Sequence, residues 1–259
     1  MANVAALPVL LKELKLASFA QNWEALAQKA VDEQWLPQTY LTELCEQEAG
    51  SRYQKRLQRY LREAQLPPAK QLVQFDFETA TGLDKRQVMN LTQQRQWVNQ
   101  AENILFFGAS GVGKTHLACG IGYALIEQGI RVKFTTATNI VQILQQAKEE
   151  LSLAEALNRM DKYAVIIIDD IGYVKKSSEE TQVLFELIAH RYETGSLIIT
   201  SNQPFSAWDQ IFDDNMMTVA AIDRLVHHAS IIEIKGESFR KTASLKRRAK
   251  NEKQNRSQD

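Results

Sequence analysis

Cysteine is nearly missing from this sequence: there are two in 259 residues, Cys45 and Cys119, far apart and both inside helix-like segments. That excludes a disulfide scaffold and suits a reducing compartment, with both side chains read as small buried thiols. None of the four histidines (His116, His190, His227, His228) pairs with a cysteine or carboxylate at metal-ligand spacing, so no zinc site is expected. No apolar run approaches the ~18 residues that span a bilayer, and nothing resembles a signal peptide, so a cytoplasmic protein with no membrane partner is expected. Charge of one sign is also lacking. The 31 Lys plus Arg balance 31 Asp plus Glu, so a polyanionic partner can be argued only from where the charges sit. Repeats and low-complexity tracts are absent as well. What is present, 44% apolar and 24% charged residues, is the composition of a globular protein long enough for one large or two modest domains.

Up to about Leu66 the chain reads as helical. Leu7, Leu10, Leu11 and Leu14, then Phe19, Trp23 and Leu26, recur at three- and four-residue steps. Pro37 stands where a further helix can begin, ahead of Tyr40, Leu41 and Leu44, and Pro67-Pro68 closes the segment. From Asn103 the pattern changes to Ile104–Phe107, Val132–Thr135, Val165–Ile168, Leu197–Thr200 and Ser230–Ile234, short runs separated by amphipathic stretches. These runs are near-continuously apolar, as parallel strands are when helices cover both faces. Ser152 with Glu155 and Ser177 with Glu180 have capping-box spacing, while Gly129 and Gly195 stand at expected helix C-caps. The predicted fold class is α/β, a three-layer parallel sheet preceded by a small all-helical N-terminal domain. Residues 1–68 form the helical domain, 69–240 the α/β domain and 241–259 a basic tail.

Residues 108–115, Gly-Ala-Ser-Gly-Val-Gly-Lys-Thr, match the phosphate-binding pattern G-x-x-x-x-G-K-[ST]. They follow an apolar strand and open the helix-like stretch His116–Gln128, the context in which the pattern has physical meaning. Glycines let the backbone curl so that successive N–H groups point at phosphate oxygens, and the helix N-terminus adds partial positive charge. Gly108, Ser110, Gly111, Val112, Gly113, Lys114, Thr115 and His116 are the expected nucleotide-binding residues. Lys114 reaches for the β- and γ-phosphates and the Thr115 hydroxyl for Mg²⁺. The run Val165–Ile168 ends in Asp169-Asp170, carboxylates on the sheet edge where α/β folds bind ligands. Asp169 is expected to anchor Mg²⁺ through water and Asp170 to orient or deprotonate the attacking water. A third run leads into Ser201-Asn202, whose amide is placed to hold that water; ahead of Gln203-Pro204 the same asparagine also reads as turn chemistry.

Together these residues resemble an AAA+ ATPase, with Walker A at Gly108–Thr115, Walker B at Ile166–Asp170, sensor 1 at Asn202 and an arginine-finger position at Arg224. A GTPase is disfavoured, because no N-K-x-D motif follows. More narrowly, Phe75-Asp76-Phe77, Gly108–Ala118, Ile167–Tyr173, Arg191-Tyr192-Glu193, Thr200–Phe205, Asp223–His228 and Gly236–Arg240 resemble IstB, the ATP-binding helper of an insertion-sequence transposition system, and the related DnaC-type helicase loaders. The resemblance covers essentially the whole chain. It implies a Mg²⁺-dependent, DNA-stimulated ATPase that assembles into a homo-oligomeric ring or spiral on DNA and recruits or activates a DDE-type transposase. ATP would lie between neighbouring subunits, and the catalytic residues would be Lys114, Asp170, Asn202 and Arg224, the last completing the next subunit's site. Thr115 and Asp169 would be the metal ligands. Asp170 departs from the Glu that many AAA+ members carry, and little chain follows Arg240 for a helical lid, so Arg240 is read as the start of the basic tail. A helicase loader is the alternative of the same fold. A DNA-clustering protein with negligible hydrolysis is the alternative of another class, opposed by the Asp170, Asn202 and Arg224 set. A DnaA-type initiator would need a C-terminal helix-turn-helix domain, for which little sequence is left.

Charge placement supplies the candidate DNA contacts. Arg52, Lys55, Arg56, Arg59 and Arg62 fall within an arc of ~120° on a helical wheel, with Glu63 near the stripe and Tyr53, Leu57, Tyr60, Leu61 and Ala64 opposite. Lys175-Lys176 after the acidic strand is a further contact or simply an exposed loop. The tail holds Arg240, Lys241, Lys246, Arg247, Arg248, Lys250, Lys253 and Arg256 against only Glu252 and Asp259. No base-reading helix is recognisable, so binding to duplex DNA of low sequence specificity is expected.

Overall fold

The computed structural model describes residues 4–173, 178–210, 215–236 and 238–239. Two compact units divide between Arg59 and Tyr60. The first holds α1 (Leu7–Glu13), α2 (Ala17–Asp32) and most of α3 (Pro37–Ala64). Leu11, Leu26 and Leu44 are buried there. The hydroxyl and carboxamide side chains that usually cap a helix are missing at the start of α2, where Leu16 occupies the cap position. Glu48 of α3 substitutes for them. Its Oε2 accepts the Ser18 amide at 2.7 Å and the Phe19 amide at 3.4 Å, and Arg52 Nε donates to its Oε1 at 2.7 Å. Burial by itself pushes the Glu48 carboxyl up, but the Arg52 hydrogen bond and the two amides outweigh it and hold the group below the usual carboxylate range.

The second unit is built on five parallel strands, β1 (Asn103–Phe107), β2 (Val132–Thr136), β3 (Val165–Asp169), β4 (Ser196–Ser201) and β5 (Ala229–Glu233), in the order β2-β3-β4-β1-β5. Every residue of the three central strands is buried, whereas the edge strands β2 and β5 bury only part of their length. The helices of this unit are α4 (Lys85–Gln93), α5 (Gln96–Asn99), α6 (Lys114–Glu127), α7 (Ala137–Glu149), α8 (Leu153–Met160), α9 (Ser178–Arg191) and α10 (Asn215–Val226). Successive strand residues point to opposite faces. Leu105, Ile166, Ile168, Leu197 and Ile199 pack with Leu144 of α7, Leu184 and Leu187 of α9 and Leu225 of α10. The other face takes α6, which approaches closely because Gly122 carries no side chain: a Cβ there would stand 2.9 Å from Ile167 Cδ1. This is the three-layer α/β arrangement the apolar runs predict, with each strand within a residue or two of its expected limits.

Local signals fared unevenly. Gly129 ends α6 as expected, at φ +81°, with its amide donating to the Ile126 carbonyl and that of Ile130 to Leu125, a Schellman motif. Gly195 is not a C-cap of this kind. Glu193, at φ +57°, makes the left-handed turn after α9, and Gly195 leaves room for the Arg191 guanidinium, which a Cβ would strike. Ser152 does precede α8, but its hydroxyl donates to the Ala147 carbonyl at 3.2 Å and makes no cap bond, so the capping box with Glu155 does not form. Ser177 lies outside the described residues, as do Lys175, Lys176, Arg240 and the basic tail.

Candidate nucleotide site

The turn from β1 into α6 is shaped by three glycines in left-handed backbone: Gly108 at φ +146°, Gly111 at +86° and Gly113 at +105°. There is also no space for side chains. A Cβ on Gly108 would strike the Ile234 carbonyl, one on Gly111 the Ser238 side chain, and one on Gly113 would lie 2.6 Å from the Phe75 ring. Val112 is buried and anchors the loop from below. Lys114 opens α6 at only 4% exposure, its Nζ donating to the carbonyls of Gly108 at 2.7 Å and Ala109 at 2.8 Å. Phe239 donates its amide to the Gly111 carbonyl at 3.0 Å, which lays the end of the described chain against the loop.

Over this loop lies a cleft of about 540 Å³, lined by Ser110, Gly111, Gly113, Lys114, Thr115 and His116, by Asp170, and by Lys70, Gln74, Phe75, Asp76 and Phe239. The residues from 70 to 76 form a wall. Gln71 offers its carbonyl to His116 Nε2 at 2.9 Å, and the Phe75 ring meets His116 edge-on at 5.3 Å and Phe77 at 4.8 Å. The wall can come this close because Gly120 faces Leu72, whose Cδ2 a Cβ would approach to 2.6 Å. Cys119 is sealed beneath it. Burial pushes its thiol up to about 12, with Lys70 opposing and Asp169 adding to the rise.

The acidic pair is held by a residue that sequence reading passes over. Thr200, fully buried on the adjacent strand β4, donates its hydroxyl to Asp169 Oδ1 at 2.7 Å and accepts the Asp170 amide at 2.9 Å. Asp170 takes φ +57°, and this turn brings it to the cleft, whereas Asp169 is buried at the end of β3. Asn202 follows β4, which runs between β1 and β3, so it leaves the sheet between the glycine loop and the aspartates. Its Oδ1 is buried with no hydrogen-bond partner among the described residues, and Gly172 provides the space beside it. Three chemistries therefore stand at one end of the sheet, amide and ammonium donors, carboxylates and a free buried amide oxygen, although of Asp169, Asp170 and Asn202 only Asp170 lines the cleft. The left-handed glycine cradle and these carboxylates fit a nucleotide triphosphate with its divalent cation.

Other predicted residues lie elsewhere. Arg224, on α10, does not line the cleft of its own chain; its guanidinium packs over the Phe185 ring at 5.1 Å and donates to the Ala220 carbonyl at 3.0 Å. Lys55, Arg56, Arg59 and Arg62 are exposed along α3. Arg52 is exposed too, but it is engaged by Glu48 and by the Lys15 carbonyl at 2.9 Å. Glu63, placed near the stripe by the wheel, pairs with Arg131 at 3.1 Å. The histidines find carboxylate neighbours in the fold. His190 Nε2 lies 3.0 Å from both Asp161 oxygens, and His227 and His228 gather with Glu193. These partners come from separate elements, which spacing along the chain does not reveal.

Phe75, Phe239, Lys70 and Asp76 were not expected in the site. The Phe75-Asp76-Phe77 and Gly236–Arg240 runs carried family resemblance, yet nothing in their composition says that Phe75 and Phe239 fold onto the glycine loop. No described helix is long and apolar enough to cross a membrane.

Comparison with known proteins matches residues 9–247 to the family of IstB-like ATP-binding proteins. An insertion sequence ATP-binding protein of Sinorhizobium fredii is 45% identical over 241 residues, 93% of this chain and 81% of that one. The ATP-binding protein of insertion sequence IS21 from Pseudomonas aeruginosa is 36% identical over 234 residues, 90% of this chain and 88% of that one. Among solved structures, AMPPCP-bound DnaA from Aquifex aeolicus superposes with a TM-score of 0.55 at 19% identity, over 66% of this chain and 51% of that one. DnaI superposes with a TM-score of 0.52 at 19% identity, over 64% of this chain and 90% of that one. At this identity these two show the fold alone, a parallel α/β sheet covered by helices.

Proposed function

Because the chain belongs to the family of IstB-like ATP-binding proteins, we propose that it is the ATPase of an insertion-sequence transposition system, one that assembles on duplex DNA, remodels it and recruits a DDE-type transposase encoded alongside. The observation that carries this reading is the left-handed glycine loop with Lys114 and Asp170 lining one cleft, beside strand β4, after which comes Asn202 with its unpartnered amide oxygen. The relatives at 45% and 36% identity are themselves named for insertion sequences. Helicase loading has no comparable support, since the two solved structures share only the fold.

Loop amides and Lys114 hold the phosphates, and the wall formed by Phe75 and His116 receives the rest of the nucleotide. Thr115 and Asp169 would hold Mg²⁺, which would supply neutralisation of phosphate charge. Asp170 accepts the proton of the attacking water, which Asn202 orients. Thr200 holds both aspartates in position. Arg224, directed away from its own cleft, serves the cleft of a neighbouring subunit, where a guanidinium stabilises charge developing on the transferred phosphoryl and contributes ~10³–10⁵ in rate. Residues 1–68 serve DNA binding and assembly, 69–240 the ATPase, and 241–259 act as a basic arm. Lys55, Arg56, Arg59 and Arg62, with Lys175, Lys176 and the tail, contact phosphates without reading sequence, so DNA affinity falls steeply with salt. Arg52 contributes more to the helical unit than to DNA.

Two variants test the site. Lys114→Ala removes a charged donor and lowers ATP affinity by roughly 10- to 100-fold. Asp170→Asn keeps ATP affinity and lowers phosphate release by roughly 10²-fold or more. Phosphate release by Asp170→Asn equal to that of the parent chain removes Asp170 from the reaction.

A further inference from the structure

At the end of the sheet opposite the nucleotide cleft, two turns bring three ligand-bearing side chains together. Glu193 lies in the turn after α9, while His227 and His228 lie between α10 and β5. All three are exposed, and one donor atom from each falls within 4.8 Å of the others. The imidazole rings of His227 and His228 stand 4.1 Å apart between centroids. The Tyr192 hydroxyl bonds His227 Nδ1 at 2.9 Å, which fixes the ring and with it the direction of its other nitrogen. Metal-binding histidines are oriented by an outer hydrogen bond of this kind.

We propose that Glu193, His227 and His228 form a binding site for a divalent transition metal of the Zn²⁺ class, distinct from the Mg²⁺ site and independent of the ATPase reading. Two imidazoles and one carboxylate suit Zn²⁺, Co²⁺ or Ni²⁺, whereas Mg²⁺ and Ca²⁺ take all-oxygen sets. Bonds of ~2.0–2.1 Å in tetrahedral geometry place donors about 3.4 Å apart, so the three side chains close by at most about 1.5 Å, which exposed rotamers allow. The fourth position is left for water or for a donor from another molecule. Once bound, the metal ties the turn after α9 to the turn after α10, where His227 stands three residues beyond Arg224.

The test uses the full chain without a polyhistidine tag, titrated with Co²⁺ in excess Mg²⁺, which fills oxygen-only sites. Visible absorption follows binding, and Zn²⁺ is then added as competitor. One equivalent of Co²⁺ is expected to bind and be displaced by Zn²⁺. His228→Ala weakens binding at least ~10-fold, Glu193→Gln weakens it, and Tyr192→Phe weakens it by several-fold without abolishing it. His227→Ala with His228→Ala abolishes it while the metal-free melting temperature stays at the parent value. The proposal is overturned if that double variant, folded by the same measure, binds Co²⁺ as tightly as the parent chain, because the metal is then held by other histidines. It is equally overturned if the parent chain takes up no Co²⁺.

Discussion

Thr200 illustrates what one side chain contributes. Its single hydroxyl bonds both members of the acidic pair, donating to Asp169 and accepting from the Asp170 amide. Thr200→Val keeps the shape of the strand and removes both bonds, so phosphate release is expected to fall by roughly 10- to 100-fold, the usual cost of losing an outer partner of a site residue. ATP affinity, measured by equilibrium titration, changes much less. Thr200 was not legible because its role depends on β4 lying beside β3, a fact of strand order. That Gly111, Gly113, Lys114 and Asp170 line one cleft was legible because it follows from two short stretches, after β1 and after β3. The cysteines offer a second check. Cys119 is buried as expected, with its thiol pushed up to about 12, whereas the expectation of a buried Cys45 is wrong: on α3 it is exposed. A thiol reagent at neutral pH should titrate one cysteine in the native chain and two after denaturation.

Among the elements, strands were the easiest to read, since near-continuous apolar runs are forced on strands buried on both faces. Which strands form the edges was not legible, nor was the fold of residues 70–77 onto α6. That wall depends on a Gly120 hydrogen facing Leu72, and a glycine inside a helix reads only as a weak helix former. The basic stripe of α3 was legible as a pattern but not in its division of labour, because Glu48 lies a turn before Arg52 and claims it. Since the folded Glu48 carboxyl is held below its unfolded value, its contribution to stability is fully present above the unfolded value and is lost as pH falls through the lowered one. Glu48→Gln replaces a charged acceptor of two amides and Arg52, and is expected to cost the helical unit about 1–3 kcal/mol at neutral pH and to blunt its loss of stability in acid. Hydrogen exchange over α1 to α3 as a function of pH checks both. An acid response unchanged by the substitution assigns the effect to other groups.

The whole molecule poses the question of who uses Arg224. Its position on α10, away from the cleft of its own chain, fits service to a neighbour. Arg224→Ala is expected to bind ATP normally and release phosphate at least ~10³-fold more slowly. Mixed with Lys114→Ala subunits at an ATP concentration that leaves the clefts of those subunits largely empty, it should recover phosphate release, because their Arg224 is intact. No recovery places Arg224 in cis or in a packing role. The family was legible in the combination of motifs, whereas the metal-ligand cluster was not, since Glu193 and the two histidines meet only through the packing of α9 and α10.

The most direct measurement is sedimentation of the full chain with random-sequence duplex DNA in the presence of ATP, of ADP and of no nucleotide, with phosphate release recorded in parallel. Large complexes requiring both ATP and duplex, accompanied by DNA-stimulated phosphate release that Asp170→Asn abolishes, are the predicted result. A small species indifferent to duplex, with phosphate release unchanged by DNA, would contradict an ATP-driven assembly on target DNA.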